Sequence, residues 1–284
     1  MDLKFSFLLP TYNRPDKIKS LLVFLNSELS LSEIYFNSVE VLVSDNSTND
    51  NTRQVCNQSS LKEKGVLRYF KNKSNIGLIG NILKLISYSK GEYSWILGDD
   101  DVYHSGVLTE ILNGVRVERP SYIFLNHRAY IKNRFDKSGF KSAIDFKIND
   151  VHTNGKNLIF HIWNYSQTSL MFISCSVFKT ELLKECVESD NKIDITFPLK
   201  MAFFCAARGK CLVIKNIYID NIWGSTSWKN ISDKVFNYYV PRHLYLLPKM
   251  GYNYLYSRKI LIKYLISRLS NRVSSIKSKF FREH

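Results

Sequence analysis

Residues 93–101 read Tyr93-Ser94-Trp95-Ile96-Leu97-Gly98-Asp99-Asp100-Asp101. Tyr93 to Leu97 is a short, mostly apolar run of the kind that forms a buried strand. It stops at a glycine followed by three carboxylates. Adjacent carboxylates repel one another unless solvent or a cation offsets their charge. Mg²⁺ and Mn²⁺ are usually held by one or two carboxylates plus substrate phosphates. An acidic triplet that ends a buried strand therefore points to a metal–diphosphate site. A solvated turn capping the next helix fits the same residues, because carboxylates favour helix N-termini.

Working outward, the pattern before the triplet repeats its logic. Phe5 to Leu9 reads as a strand, and Pro15 opens a helix at a favoured first-turn position, with Ile18, Leu21, Leu22 and Leu25 as its apolar stripe. Val39 to Val43 is a second strand, Val66 to Phe70 a third, and Asn81 to Tyr88 a helix. Strands alternating with helices predict an α/β fold with a mostly parallel sheet and helices on both faces. Ligands bind such sheets at the carboxyl ends of the strands. Three polar clusters fall there: Pro10-Thr11-Tyr12-Asn13-Arg14, Ser44 to Asp50, and Gly98 to Asp101. Tyr12 offers a flat face to a base, and Asp45 an acceptor for a base N–H. As plain structure, Tyr12 packs and Asp45 forms a turn. Gly77, beside Asn75 and near Asn81, permits a tight turn and close backbone approach.

Composition narrows the classes. At 284 residues with 45% hydrophobic and 23% charged side chains, wholesale disorder is excluded. A net charge of +15 favours anionic partners. No run approaches the roughly 18–20 apolar residues that cross a bilayer, and the start lacks the apolar region of a signal peptide. The five cysteines are odd in number and form no C-x-x-C, so reduced, buried thiols are expected.

Four stretches in this order resemble the family 2 glycosyltransferases, which have the GT-A fold: LLPTYNRPDKI (8–18), VLVSDNSTNDNT (41–52), NKSNIGLIGNI (72–82) and YSWILGDDD (93–101). The resemblance is to abequosyltransferase-like and other surface-polysaccharide members. It implies a nucleotide-sugar-binding half at 1–120, an acceptor-binding half at 121–225 and a C-terminal helical extension at 226–284. Pro10, Thr11, Tyr12 and Arg14 would line the nucleotide pocket, with Asp45 at the base and Ser47 nearby. Asn75, Gly77 and Asn81 would support the same side. Asp99 and Asp101 would be the ends of a D-x-D motif holding Mn²⁺ or Mg²⁺, with Asp101 the first choice as ligand. Many members have Asp where this chain has Gly98, so the register stays open by one residue and Asp100 remains a candidate. Family 2 enzymes usually invert the anomeric centre, with a downstream carboxylate as base. Asp194 fits, ahead of a helix ending near Gly209; Asp190 is the fallback.

The expected donor is a nucleotide-diphosphate sugar, and the expected acceptor is a saccharide, lipid-linked, of a cell-surface polysaccharide. A nucleotidyltransferase is the rival, although Pro10 to Arg14 lacks the glycines of a phosphate loop. The other rival is a non-catalytic nucleotide-binding module; no nucleic-acid motif is present. Leu170 to Phe178 and Cys211 to Ile219 read as strands, and Thr180 to Val187 and Pro198 to Ala207 as helices. The segment Trp223 to Trp228 reads as a lid or sugar-stacking face. From Tyr252, Ile262, Leu265, Ile266, Leu269, Val273, Ile276 and Phe280 follow helical spacing, with Lys263, Arg268, Arg272 and Lys279 beside them. Such a helix either packs on its domain or lies on an anionic membrane surface. The expected location is cytoplasmic, peripheral on the cytoplasmic face of the inner membrane.

Overall fold

A computed structural model describes residues 4–32, 38–131, 141–142, 151–152, 154–189, 193–223 and 229–280. The chain divides into two compact units, Met1–Ser225 and Thr226–His284.

The first unit is built on one sheet. Strand β1 (Phe5–Thr11) is buried along its whole length, its mostly apolar run carrying the polar Ser6 and Thr11 inside with it. It lies parallel to β2 (Val39–Asp45) on one side and β4 (Tyr93–Ile96) on the other; β3 (Leu67–Lys71) extends the sheet beyond β2. Beyond β4 come β9 (Ser176–Lys179), β6 (Tyr122–Ile131), β10 (Cys211–Trp223) and β5 (Val102–Tyr103). The two-residue strands β7 (Lys141–Ser142) and β8 (Val151–His152) pair with β6 and β10. Strand β9 is antiparallel to both β4 and β6, while β10 is parallel to β6 and β5 opposes β10. Along the main path, β1, β2, β3, β4, β6 and β10 therefore run one way, and only β9 and β5 run against them. The expected GT-A, mostly parallel sheet is what forms.

Helices follow the apolar spacing. In α1 (Pro15–Leu31), Pro15 sits at the first turn and Ile18, Leu21, Leu22, Leu25 and Leu29 are buried. Each such side chain contributes roughly 1.5–3 kcal/mol on burial. Helices α2 (Asn51–Asn57) and α3 (Ser60–Glu63) lead into β3. Helix α4 (Gly77–Tyr88) packs Ile82, Leu85 and Ile86 inward and contacts β1 and β2. It begins a turn before the expected start at Asn81. Helix α5 (Val107–Glu118) follows β5, and α6 (Gly155–Tyr165), α7 (Thr180–Glu188) and α8 (Phe197–Ala206) cover the second half. All five cysteines are free and buried.

One element differs from expectation. Leu170 to Phe178 is extended only from Ser176; Gln167–Met171 and Ile173–Cys175 are 3₁₀ turns. Tertiary bonds account for this. The indole N–H of Trp95 donates to the Ser174 carbonyl at 2.7 Å, and the Gly98 amide donates to the Ser174 hydroxyl at 3.0 Å. Ser174 is thereby drawn out of the strand ladder toward the end of β4.

In the second unit, α9 (Ser232–Lys234) and a π turn over Val235–Tyr239 lead into α10 (Val240–Leu246). Gly251 then breaks the chain with φ of 95°, and α11 (Tyr254–Phe280) follows. No helix among the described residues is long and apolar enough to cross a membrane.

Candidate active site

The carboxyl ends of β1, β2 and β4 are adjacent in the sheet, and the side chains there are hydrogen-bonded to one another. Thr11 ends β1, and its hydroxyl donates to Asp99 Oδ2 at 2.8 Å. Arg14, at the mouth of α1, donates to Asp99 Oδ1 at 2.7 Å and lies 3.3 Å from Asp100 Oδ2. Residues more than eighty positions apart thus meet where the register of β1 and β4 places them. The Asp99 side chain is only 8% exposed, whereas Arg14 and Asp100 are each 44% exposed. Burial raises the Asp99 carboxyl above its usual range, against the lowering effect of Thr11 and Arg14.

Asp101 has other partners. Its Oδ1 accepts from the Asn221 amide at 2.6 Å, and its Oδ2 from the Ser174 hydroxyl. Burial pushes its carboxyl up to about 7, with the like charges of Asp100 and Asp99 adding to the rise. Gly98 is fixed by contact rather than by backbone conformation. A Cβ there would stand 2.9 Å from Asp101 Oδ2 and 3.0 Å from the Ser174 hydroxyl. A side chain at this position would have to push the Asp101 carboxylate or the Ser174 hydroxyl aside.

The residues suit a hard divalent cation in chemistry. They offer carboxylate oxygens only, and Asp101 is a desolvated carboxylate whose partners here are neutral. Among the described residues, no group of three His, Cys, Asp or Glu side chains converges to hold a metal. A cation at Asp101 and Asp99 would therefore draw its remaining ligands from phosphate oxygens and water, the usual arrangement for Mg²⁺.

The end of β2 is equally ordered. Asp45 is fully buried. Its Oδ1 accepts from the Ser47 amide at 2.8 Å and from the Ser47 hydroxyl, and its Oδ2 from the Tyr69 hydroxyl at 2.8 Å. Asp45, the residue expected at the base, holds Ser47 and Tyr69. Ser47 in turn accepts the Asn13 amide at 2.7 Å, and Asn13 adopts a left-handed φ of 54°. That turn carries Tyr12 outward, 46% exposed, while Pro10 is buried.

Asn81 is buried and ties strand ends together. Its amide donates to the Ser44 carbonyl at 2.8 Å and the Thr11 carbonyl at 3.3 Å. Asn72 joins the network through Asn46 at 2.8 Å. Gly77 has φ of 74°, a conformation that favours glycine; its amide is capped by Asn75 Oδ1 at 2.9 Å. Asn75 and Gly77 are exposed beside this network.

Asp194 opens the turn before α8. Its Oδ1 accepts the Thr196 amide at 2.8 Å and the Thr196 hydroxyl at 2.5 Å, a side-chain turn that fixes the carboxylate. Asp190 and residues 224–228 lie outside the described residues.

Ser174, Asn221, Tyr69 and Asn72 are not evident from the sequence as site residues. The first two interrupt apolar runs of the sequence, and that interruption is the signal they leave. A further cluster is equally silent in sequence. Asp220 accepts from Arg128 Nε at 2.8 Å and lies 2.7 Å from His104 Nε2. These bonds outweigh burial and lower its carboxyl pKa.

A mostly parallel sheet with acid, hydroxyl and guanidinium groups gathered at three neighbouring strand ends defines an α/β protein of the GT-A type. Residues 6–186 match the family described as Glycosyl transferase family 2, and the chain belongs to that family. A stretch of 96 residues is 32% identical to abequosyltransferase RfbV of Salmonella typhimurium, covering 34% of this chain and 28% of that protein. Another of 111 residues is 31% identical to the GalNAc(5)-diNAcBac-PP-undecaprenol beta-1,3-glucosyltransferase of Campylobacter jejuni, covering 38% of this chain and 33% of that protein. The matches thus span a third or less of those two relatives. The crystal structure of S. aureus TarS 1–349 superposes with a TM-score of 0.64 at 16% identity, over 93% of this chain and 71% of that one. The mannosyltransferase PcManGT of Pyrobaculum calidifontis, solved with GDP-Man and Mn²⁺, superposes at 0.57 with 10% identity, over 95% and 76%.

Proposed function

We propose that this chain is an inverting glycosyltransferase. It would move a sugar from a nucleotide-diphosphate donor to a saccharide acceptor, lipid-linked, in cell-surface polysaccharide synthesis. The observation that carries this reading is the junction of β1 with β4, where Thr11 and Arg14 both bond Asp99. A nucleotide diphosphate lying across that junction would meet the Arg14 guanidinium, the Thr11 hydroxyl and the carboxylates of Asp99 and Asp100. TarS has been solved with UDP and with UDP-GlcNAc, which supports a nucleotide-sugar donor. The undecaprenol-linked substrate in the name of the Campylobacter relative supports a lipid-linked acceptor. Such an acceptor would bring the protein to the cytoplasmic face of the inner membrane.

Each residue then has a task. The exposed ring of Tyr12 stacks on the base, and Ser47, held by Asp45, meets the base or ribose. Arg14 lies beside the phosphates. Asp101 and Asp99, with Asp100 at the rim, would hold Mn²⁺ or Mg²⁺, which when bound offsets charge on the leaving diphosphate. The acceptor hydroxyl oxygen bonds to the anomeric carbon while the bond from that carbon to the diphosphate oxygen breaks. Asp194 takes the hydroxyl proton, its orientation fixed by Thr196.

Calorimetric titration of UDP, dTDP, CDP and GDP, each with and without Mn²⁺, tests this reading. Asp101→Ala is measured beside the native protein. Tight, metal-dependent binding of one nucleotide, lost in the variant, is the expected result. Absence of binding by a folded sample under every condition overturns it.

A further inference from the structure

The positive charge of this chain is concentrated at one end. Residues 226–284 carry 12 Lys and Arg against 2 Asp and Glu, so +10 of the total +15 lies in the second unit. Helix α11 (Tyr254–Phe280) holds seven of those cations and no carboxylate.

The orientation of α11 within its unit is set by its inner face. Ser257, Ile260 and Tyr264 are buried. The Tyr264 hydroxyl donates to the Phe236 carbonyl at 2.7 Å. Arg258 lies 4.0 Å over the Tyr245 ring, and Arg268 lies 5.1 Å over the Phe236 ring. At 3.6 residues per turn, the opposite face is then presented outward. That face is apolar: Leu255 is 76% exposed, Ile262 57%, Ile266 58% and Leu269 62%. The four recur at intervals of seven, four and three residues, one continuous stripe along the helix. Lys259 and Lys263 flank the stripe on one edge, whereas Arg268, expected beside it, turns inward to Phe236 and Asn237. In sequence, Val273, Ile276 and Phe280 continue its spacing.

We infer that this face of α11 seats on an anionic phospholipid surface, with the stripe at the acyl boundary and the flanking lysines at the headgroups. Charge decides the occupant. A second copy of this helix would bring cations against cations, with no carboxylate on either to offset them. An anionic bilayer supplies the opposite charge along the lysine edge, and those long basic side chains reach the headgroups while their stems lie on apolar surface. The charge density excludes a spanning segment, in keeping with the absence of a membrane-crossing helix among the described residues. This inference deepens the reading of a lipid-linked acceptor, and it supplies the contact that would hold the catalytic unit near one.

The test uses the full chain with no nucleotide or acceptor present. Sedimentation is measured with vesicles of phosphatidylcholine alone and of phosphatidylcholine mixed equally with phosphatidylglycerol. The native protein is expected to bind the mixed vesicles at least tenfold more tightly, with binding weakened by salt. Ile262→Gln with Ile266→Gln is expected to reduce that binding at least tenfold. Lys259→Gln with Lys263→Gln is expected to reduce it by roughly fivefold per residue. Both pairs of positions are exposed, and unchanged thermal unfolding verifies the fold. Equal binding to both vesicle types, binding to neither, or no effect of the isoleucine changes overturns the inference. So does concentration-dependent self-association that the isoleucine changes abolish, because the stripe would then cover a second copy. Nucleotide titration of the same samples separates this outcome from failure of the proposed activity.

Discussion

Gly98 shows how one missing side chain shapes the site. Its backbone approaches Asp101 and Ser174 so closely that a Cβ would stand within 2.9 Å of a carboxylate oxygen. Gly98→Ala must therefore displace Asp101, Ser174 or both. The atoms in the way are side-chain oxygens that can rotate aside, so unfolding is expected to change by less than about 1 kcal/mol. Metal-dependent nucleotide affinity is expected to fall about tenfold, roughly 1.4 kcal/mol. Calorimetry on the folded variant decides it, and native affinity would show that Asp101 needs no fixed position. At this scale the acidic triplet was legible in the sequence, because carboxylates ending an apolar strand require a reason. The two residues that bond Asp101 were not. Ser174 and Asn221 lie 73 and 120 positions away, and only the paths of β9 and β10 bring them in. Asp45 was legible as a strand-end carboxylate, but its burial under Tyr69 depends on the register of β2 with β3.

Among the elements, the junction of α1 with α5 is the one most exposed to a single change. Glu28, near the end of α1, is 2% exposed. It accepts from the Ser105 hydroxyl at 2.8 Å, the Gly106 amide at 2.9 Å and the Leu108 amide at 3.1 Å. The carboxylate thus satisfies amides at the start of α5, where negative charge is favoured. The same turn follows β5 and so anchors the chain just after Asp101. Glu28→Gln puts an N–H₂ where an acceptor is required and leaves an amide unpaired. A loss of about 2 kcal/mol is expected in denaturant unfolding, with the nucleotide affinity of the folded variant unchanged. An unaltered midpoint would show that water replaces these bonds. Periodicity revealed α1 and the first four strands, each with an apolar run or stripe of its own. It failed at Leu170 to Cys175, where bonds from Trp95 and Gly98 override a strand-like composition.

At the scale of the whole molecule, the first half was easier to read than the second because β1, β2, β3 and β4 are parallel and each has an apolar run of its own, whereas β5, β7 and β8 are two residues long and carry no period. What the sequence could not reveal at all is how stability depends on pH, since that follows from tertiary burial. His127 sits on β6, 1% exposed, edge-on to the rings of Phe124 and Phe172. Burial lowers its pKa to about 4 from 6.5, against the opposing effect of a hydrogen bond with the Leu125 backbone. Above pH 6.5 the imidazole is neutral whether the chain is folded or not, and it contributes no pH dependence. As pH falls below 6.5 the unfolded chain takes up a proton that the folded chain refuses, so unfolding becomes easier. The loss grows until the folded state also protonates near pH 4, reaching about 3 kcal/mol. Denaturant unfolding of native protein and His127→Gln between pH 7 and pH 4 measures it. The native protein is expected to lose more stability over that interval than the variant, by about 3 kcal/mol. Parallel losses in the two proteins would mean that His127 is protonated in the folded state and that β6 admits water at this point.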